Sequence, residues 1–399
     1  MAQVLKRFPD EGLSRAERHE LNAMLATWVA VLGGFLWGFG ALGKRIGVQG
    51  APDDVKAIRA SCTIFVYTLT TTITPVADFL WTDWALIRET FGDANWSARI
   101  PGIVACGVIS GLGGLLGTYA FAWSANVNSA LISMIENGSY TVAGAVLIAV
   151  AFHEHPTPLR YLAAALIVSG ILVAQITAGG RSHATKDDGE SDDSSDDGED
   201  SDGQSGDDRD GNDRAGNDLD RGGSSAPSSE TDDSVVDATV KAPQMRRRTI
   251  VLIAVLAGTC WGFGHLGKKY GVNAAPAGRH ALWATCTYAL YMASTILVPV
   301  LQLCRTSGKL KTLQDRKFRC LMVGTTLCGI TSGLGGLVST YAFSMAKKDG
   351  GALIAVVENG VYTLSGALLI ALVFQERPTL PQICSGALVV AGLIVSGLA

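Results

Sequence analysis

Two glutamates stand inside stretches of sequence that are otherwise apolar enough to lie in a membrane. Glu136 lies in LISMIENGSYTVAGAVLIAVAFHEHPT, which starts at Leu131, and Glu358 lies in LIAVVENGVYTLSGALLIALVFQERPT, which starts at Leu353. A carboxylate inside a membrane span is costly, and it usually faces a cavity or a partner and marks an ion or substrate path. A carboxylate can also bind and release a proton. We therefore expect Glu136 and Glu358 to bind protons or a cation. Two such carboxylates favour either proton coupling or a cationic or polyol substrate.

The residues that follow each glutamate are also polar. Asn137 and Asn359 come next, and Tyr140 and Tyr362 lie four residues after their glutamates. That spacing places each tyrosine one helical turn further along the same face. Each tyrosine could donate a hydrogen bond to its glutamate or line the same cavity. The alternative is a structural role, in which an opposing Ser, Thr or backbone group holds each glutamate and no substrate reaches it.

Further candidate residues recur in both halves of the chain. Lys44 and Lys268 lie seven residues after Trp37 and Trp261. Each lysine could extend from a helix end to the membrane interface, or it could contact a gate or an anionic group of the substrate. Aromatic residues that could line the cavity, or simply pack against neighbouring helices, are Trp37, Trp261, Tyr67, Tyr291, Tyr119 and Tyr341.

Membrane helices are the elements that must position these residues. Hydrophobic residues make up 48% of the 399 residues and charged residues 17%, whereas a soluble protein carries about 25% charged residues. Apolar runs of about 20 residues, the length that crosses the hydrocarbon core of a bilayer, recur along the chain. We expect spans near 23–43, 58–80, 101–123, 130–152, 159–178, 249–270, 281–303, 320–344, 352–374 and 381–398.

The two halves of the chain repeat each other. LWGFGALGKRIGVQGAP from Leu36 matches CWGFGHLGKKYGVNAAP from Cys260, and GLGGLLGTYAF from Gly111 matches GLGGLVSTYAF from Gly333. With five spans per half, the second half would enter the membrane from the opposite side. The sequence thus predicts an all-α membrane protein with ten transmembrane helices in two inverted five-helix repeats. Many secondary transporters have this architecture, with a substrate site near mid-membrane between the repeats.

An acidic segment separates the halves. Of the 36 Asp and Glu residues, 20 lie between residues 181 and 245, where apolar residues are few. Such a segment cannot bury enough surface to offset its chain entropy. The expected organisation is a charged tail at 1–22, a first repeat at 23–178, a disordered acidic linker at 179–248 and a second repeat at 249–399. The linker could be a solvated connection, a phosphorylation target or a docking segment for a basic partner.

These motifs, in this order and in both halves, resemble the drug/metabolite transporter superfamily, most nearly its EamA-like members. That pattern has Trp-Gly early in the first span, Lys at its end, and Pro and a basic residue opening the second span. The first repeat carries it as Trp37, Gly38, Lys44, Pro52 and Arg59, and the second as Trp261, Gly262, Lys268 and Pro276, with Trp283 replacing the basic residue. HEHPT and QERPT resemble the motif that precedes the last span of each family repeat. The Glu-Asn-Gly groups depart from the family, which usually has Pro there.

We therefore expect an integral, multi-pass secondary transporter that moves a small metabolite by alternating access. Proton coupling through Glu136 and Glu358 is one expected mechanism. Its partners would be the lipid bilayer, a small-molecule substrate and protons, and it would be a monomer or a homodimer. The sequence carries no enzyme, cofactor, metal or nucleic-acid-binding motif, so we expect no such function. The alternatives are a membrane scaffold or receptor of transporter fold that acts through its acidic linker, and a cation channel.

Overall fold

The structure is a computed structural model, and all of its regular elements within the described residues are helices. The described residues are 15–124, 129–155, 157–177, 247–276, 278–306, 315–346, 350–375 and 380–397. The predicted acidic linker lies outside these ranges, apart from its last two residues.

Helices from both halves of the chain make up the described structure. In the first half they are α1 Arg15–Val48, α2 Lys56–Leu80, α3 Trp84–Gly92, α4 Ala94–Ser97, α5 Ile100–Trp123, α6 Ser129–Phe152 and α7 Pro158–Thr177. In the second half they are α8 Arg247–Val272, α9 His280–Thr295, α10 Leu297–Arg305, α11 Arg316–Met345, α12 Gly351–Val373 and α13 Leu380–Gly397.

Eight segments of the described chain are long and apolar enough to cross a membrane. They are Leu21–Val48, Lys56–Leu80, Ala94–Trp123, Ser129–Phe152, Arg248–Val272, His280–Arg305, Arg316–Met345 and Gly351–Val373. The other two predicted spans fall on α7 and α13, whose described apolar stretches are shorter, at Tyr161–Gly170 and Ile383–Gly392. The outer surface is itself apolar: along α1 the exposed side chains form a stripe of Met24, Trp28, Leu32 and Phe35. Such a stripe is suited to contact with lipid.

Several boundaries differ from those predicted. α1 begins at Arg15, inside the predicted charged tail. The predicted span 281–303 is divided at Ile296 into α9 and α10. Pro299 explains the division, because it has no N–H to donate to the carbonyl of Thr295. Pro75, by contrast, lies inside a continuous α2.

The short helices α3 and α4 were not expected from the sequence. They begin after Asp83 and Asp93, whose carboxylates accept hydrogen bonds from the backbone amides of Ala85 and Asn95. These are N-cap interactions, which stabilise the first turn of a helix. Trp96 of α4 is fully buried, so the connection between α2 and α5 is packed and not a simple loop.

Helices of one half pack mainly on helices of the other. α1 packs on α11 and α12, while α8 packs on α5 and α6. α6 also packs on α12, and α7 on α13. The glutamate-bearing helices α6 and α12 and the lysine-bearing helices α1 and α8 therefore meet at the centre of the described structure.

Candidate functional site

Each predicted glutamate is paired with a predicted lysine of the same half. The ammonium of Lys44 donates to Oε1 of Glu136 at 2.6 Å, and the ammonium of Lys268 donates to Oε1 of Glu358 at 2.9 Å. These four side chains are at most 2% exposed. Both ammonium groups are therefore buried inside the described structure. Breaking a buried ion pair by removing one partner typically costs about 3–5 kcal/mol, because the remaining charge has lost its partner.

Glycines allow the lysine-bearing helices to reach the glutamates. A Cβ at Gly34 of α1 would overlap the backbone carbonyl of Glu358, and a Cβ at Gly258 of α8 would overlap that of Glu136. Each glutamate therefore bonds a lysine of its own half with its side chain, while its backbone touches a glycine of the other half. Small residues permit such close approach between membrane helices.

The environment of Glu358 contains groups that have no counterpart around Glu136. His265 holds Nε2 at 3.2 Å from Oε2 of Glu358, and the ammonium of Lys268 also donates to Oγ of Ser339 at 2.9 Å. The matching residues of the first half are Ala41 and Gly117. The carboxylate of Glu136 lies directly against Gly117, where a Cβ would overlap it.

Tyr140 contacts the second half and not its own glutamate. Its hydroxyl lies 2.7 Å from Nε2 of His265, and the two rings are stacked with centroids 4.3 Å apart. Tyr140, His265 and Glu358 thus form a chain of polar groups from α6 through α8 to α12. The amide of Asn359 lies 3.4 Å from Nδ1 of the same histidine. His265 was not among the site residues predicted from the sequence. The signal that could have identified it is that His265 stands where the first repeat has Ala41.

Four of the predicted aromatic residues form a cluster between the halves. Trp37 meets Trp261 and Tyr362 edge to face with centroids 6.3 and 6.2 Å apart, and Tyr140 lies 6.4 Å from both Trp261 and Tyr362. The ammonium of Lys44 lies 5.8 Å from the ring centroid of Trp261, a residue of the other half. Such distances fit cation–π attraction.

A small cavity lies inside this aromatic cluster. It offers about 10 Å³ to the centre of a water-sized sphere, which is close to the room that one water molecule needs. Both halves line it, through Trp37, Lys44, Tyr67, Asn137, Tyr140, Trp261 and Tyr362. Seven of the predicted site residues therefore surround one enclosed space.

Other predicted lining residues lie elsewhere among the described residues. Tyr291 is buried and stacks on Tyr288. Tyr119 is half-buried, and its hydroxyl lies 3.1 Å from Oγ of Ser61. Tyr341 is also half-buried. None of these three predicted tyrosines lines the cavity described above.

Glu154 has a role in the fold that links the two halves. Its two carboxylate oxygens accept hydrogen bonds from the backbone amides of Gly351 at 3.0 Å and Ala352 at 2.8 Å. These amides open α12, so Glu154 caps a helix of the other half.

The membrane-crossing helices define an integral, multi-pass membrane protein. Residues 248–398 match the EamA-like transporter family, part of the drug/metabolite transporter superfamily, which confirms the predicted resemblance for the second half of the chain. That family suggests a membrane transporter of small molecules. The chain is also similar in fold to a protein of known crystal structure, with 14% sequence identity and a TM-score of 0.51 over 94% of this chain and 96% of that one. No curated protein matches the chain.

Proposed function

We propose that the protein is a secondary transporter that moves a small metabolite across a membrane by alternating access. In this proposal ten transmembrane helices form two inverted five-helix repeats, with Glu136 and Glu358 as the proton-binding groups. The observation that carries it is the buried Lys–Glu pair of each half, placed beside one aromatic cluster that both halves build.

The reciprocal packing of the halves supports the inverted-repeat arrangement. A Cβ at Gly43 would touch Cys328, and a Cβ at the matching Gly267 would touch the matching Cys106. A contact that recurs when the halves are exchanged is expected of a pseudo-two-fold axis. With an odd number of spans per half, that axis lies in the plane of the membrane, and the site falls beside it.

The buried ion pairs support proton coupling. A proton that binds Glu136 removes its charge and weakens its bond to Lys44, and the same holds for Glu358 and Lys268. Each pair therefore exists in a closed, charged form and a looser, protonated form. If the two forms favour different conformations of the carrier, protonation shifts the equilibrium between those conformations.

The enclosed cavity supports a carrier over a channel. Trp37, Trp261, Tyr140 and Tyr362 close around it, so a substrate can enter only if the helices of the two halves separate on one side. The residues that line the site in this proposal are Asn137, Tyr140 and Tyr362, with Asn359 behind His265. Lys44 and Lys268 bind the two carboxylates when these are charged, and the ion pairs open when the carboxylates are protonated.

The test is uptake by purified protein in proteoliposomes. A panel of radiolabelled metabolites is first screened with the wild-type protein at several pH values. Glu136→Gln and Glu358→Gln are then compared with Glu89→Gln, which changes a glutamate that is 55% exposed and pairs with Arg279 on the surface. Both site variants should lose the pH response of uptake, while the control keeps it. Unchanged uptake and pH response in both site variants would refute the assignment.

A further inference from the structure

The two ion pairs differ in how firmly the lysine is held. Lys268 donates to both Ser339 and Glu358, and Glu358 also faces His265. Lys44 has Glu136 as its carboxylate partner, and the matching Gly117 supplies no hydroxyl. Lys44 is therefore the lysine that can change partner at the smaller cost.

Lys44 is also the lysine that reaches the cavity. It lines the enclosed space, whereas Lys268 is not among the lining residues described. Trp37 and Trp261 line the same space, and each carries an indole N–H donor. Both indoles are more than nine-tenths buried, and neither N–H has an acceptor within the described part of the chain. A buried donor without an acceptor is costly, so these groups favour a ligand that brings oxygen atoms.

We propose that the substrate is a small monoanion whose oxygens take over Lys44 from Glu136, while Glu136 takes up a proton. This inference rests on the proposed transport function and names its substrate class. A carboxylate or another small oxyanion matches the donors of this site in chemistry. The closed cavity has room for about one water molecule, so the anion enters only when the helices of the two halves separate.

Charge balance explains why the proton must accompany the anion. Lys44, Glu136, Lys268 and Glu358 carry no net charge together. An anion alone would leave one uncompensated negative charge among buried groups, which is strongly unfavourable away from water. In the proposed step the hydrogen bond from Nζ of Lys44 to Oε1 of Glu136 breaks. Nζ then donates to the anion, and a proton from water binds the freed carboxylate, so anion and proton enter together with no net charge.

The groups that face Glu136 are consistent with this exchange. Among the described residues, the titratable groups that interact with it include Lys44 of α1, Tyr67 of α2 and Tyr362 of α12. Both tyrosines line the cavity. Of these three groups, Lys44 is the cation, so its transfer to the anion removes the positive charge that balances Glu136.

The experiment measures binding to the full-length protein by calorimetry, with two sets of probes matched in shape. One set is acetate, acetamide and methylammonium, and the other is benzoate, benzamide and benzylammonium. Acetate or benzoate should bind the wild-type protein. Because each bound anion brings one proton, the affinity for the anion should rise about tenfold for each pH unit as the pH falls from about 7.5 to about 5.5. Binding of the neutral or cationic members with equal affinity would overturn the proposal, and so would the failure of both anions to bind.

Variants of the pair give opposite expectations. Lys44→Gln should weaken anion binding about 10- to 100-fold, the loss expected for a charge-assisted hydrogen bond. Glu136→Gln should bind the anion at least as tightly as the wild type, without the pH dependence, because the competitor of the anion is gone. The double variant Lys44→Gln/Glu136→Gln leaves no unpaired charge, so it should fold and still fail to bind. If Lys44→Gln or the folded double variant keeps the wild-type affinity, the anion site is wrong.

Exchange in proteoliposomes separates this proposal from the transport function. An anion that binds as predicted but is not exchanged across the membrane refutes transport and leaves the site intact. Saturable exchange of benzamide or benzylammonium, with no effect of benzoate, supports transport and refutes the anion site.

Discussion

Tyr140 and His265 face each other across the boundary between the two halves, with their rings stacked 4.3 Å apart and the hydroxyl 2.7 Å from Nε2. Tyr140 belongs to the helix of Glu136, and His265 contacts Glu358. The matching position in the first half is Ala41. The repeat is therefore chemically asymmetric at its centre, and the helix of one glutamate is connected to the side chain of the other.

Replacing His265 with the residue of the first half should destabilise the protein. His265→Ala leaves the buried hydroxyl of Tyr140 without its hydrogen-bond partner, and it removes the imidazole that lies 3.2 Å from Oε2 of Glu358. Loss of such partners should lower the free energy of unfolding by about 1–3 kcal/mol. His265→Gln keeps a hydrogen-bonding side chain and should lose less. Thermal unfolding in detergent measures both, and equal stability of His265→Ala and the wild type would show that the contact contributes nothing.

Exchanging Gly117 and its counterpart Ser339 should affect the two sites differently. Gly117→Ser adds a Cβ that overlaps the carboxylate of Glu136, so the carboxylate must shift relative to Lys44 and the pH profile of uptake should change. Ser339→Gly removes one of the two hydrogen bonds that Lys268 donates. Ser339→Gly should therefore lower the free energy of unfolding by about 1.5–3 kcal/mol. A pH profile unchanged by Gly117→Ser would contradict the tight contact at Glu136.

The glycines at the helix crossings should tolerate no side chain. Gly34→Ala and Gly258→Ala each place a methyl group against the backbone of a glutamate on the opposing helix. Backbone cannot rotate away, so the helices must separate, at a cost of about 1–3 kcal/mol or more. Gly92→Ala is the matched control, since a Cβ there meets open space. Yield and thermal stability should fall for Gly34→Ala and Gly258→Ala only. Equal yield and stability of all three variants would refute the close helix contact at these glycines.

Removing the cap that Glu154 provides should loosen the start of α12. Glu154→Gln keeps one carbonyl oxygen but loses the negative charge that a helix N-terminus favours, so it should cost about 1 kcal/mol. Glu154→Ala should cost more. Hydrogen exchange at the amides of Gly351 and Ala352 should rise in that order. Protection equal to the wild type in Glu154→Ala would mean that another group caps the helix.

The helices and the candidate residues follow largely from local sequence patterns. Apolar runs located the long helices, and the repeated Glu-Asn-Gly motif pointed to α6 and α12. The pairing of each lysine with its glutamate was not predicted, because the partners lie 92 and 90 residues apart and local spacing says nothing about such contacts. The sequence did contain one signal for this pairing: each half has a lysine and a glutamate within or next to its apolar spans, in the same order along the chain.

Other features depended on contacts that a motif does not contain. The role of His265 follows from the approach of α6 to α8, which no pattern within α8 reveals. Glu154 caps α12 of the other half, although capping usually involves a residue next to the helix in sequence. The break at Ile296 could have been expected from Pro299, yet Pro75 leaves α2 continuous, so the tertiary setting decides what a proline does.

Proton flux measured together with substrate uptake is the sharpest test of proton coupling through Glu136 and Glu358. Proteoliposomes that hold wild-type protein and a trapped pH-sensitive dye are given an inward gradient of a substrate found in the metabolite screen. The account predicts that the luminal pH changes together with uptake, and that Glu136→Gln and Glu358→Gln each abolish this pH change, whereas Glu89→Gln does not. Uptake of the substrate by the wild-type protein with a constant luminal pH would contradict it.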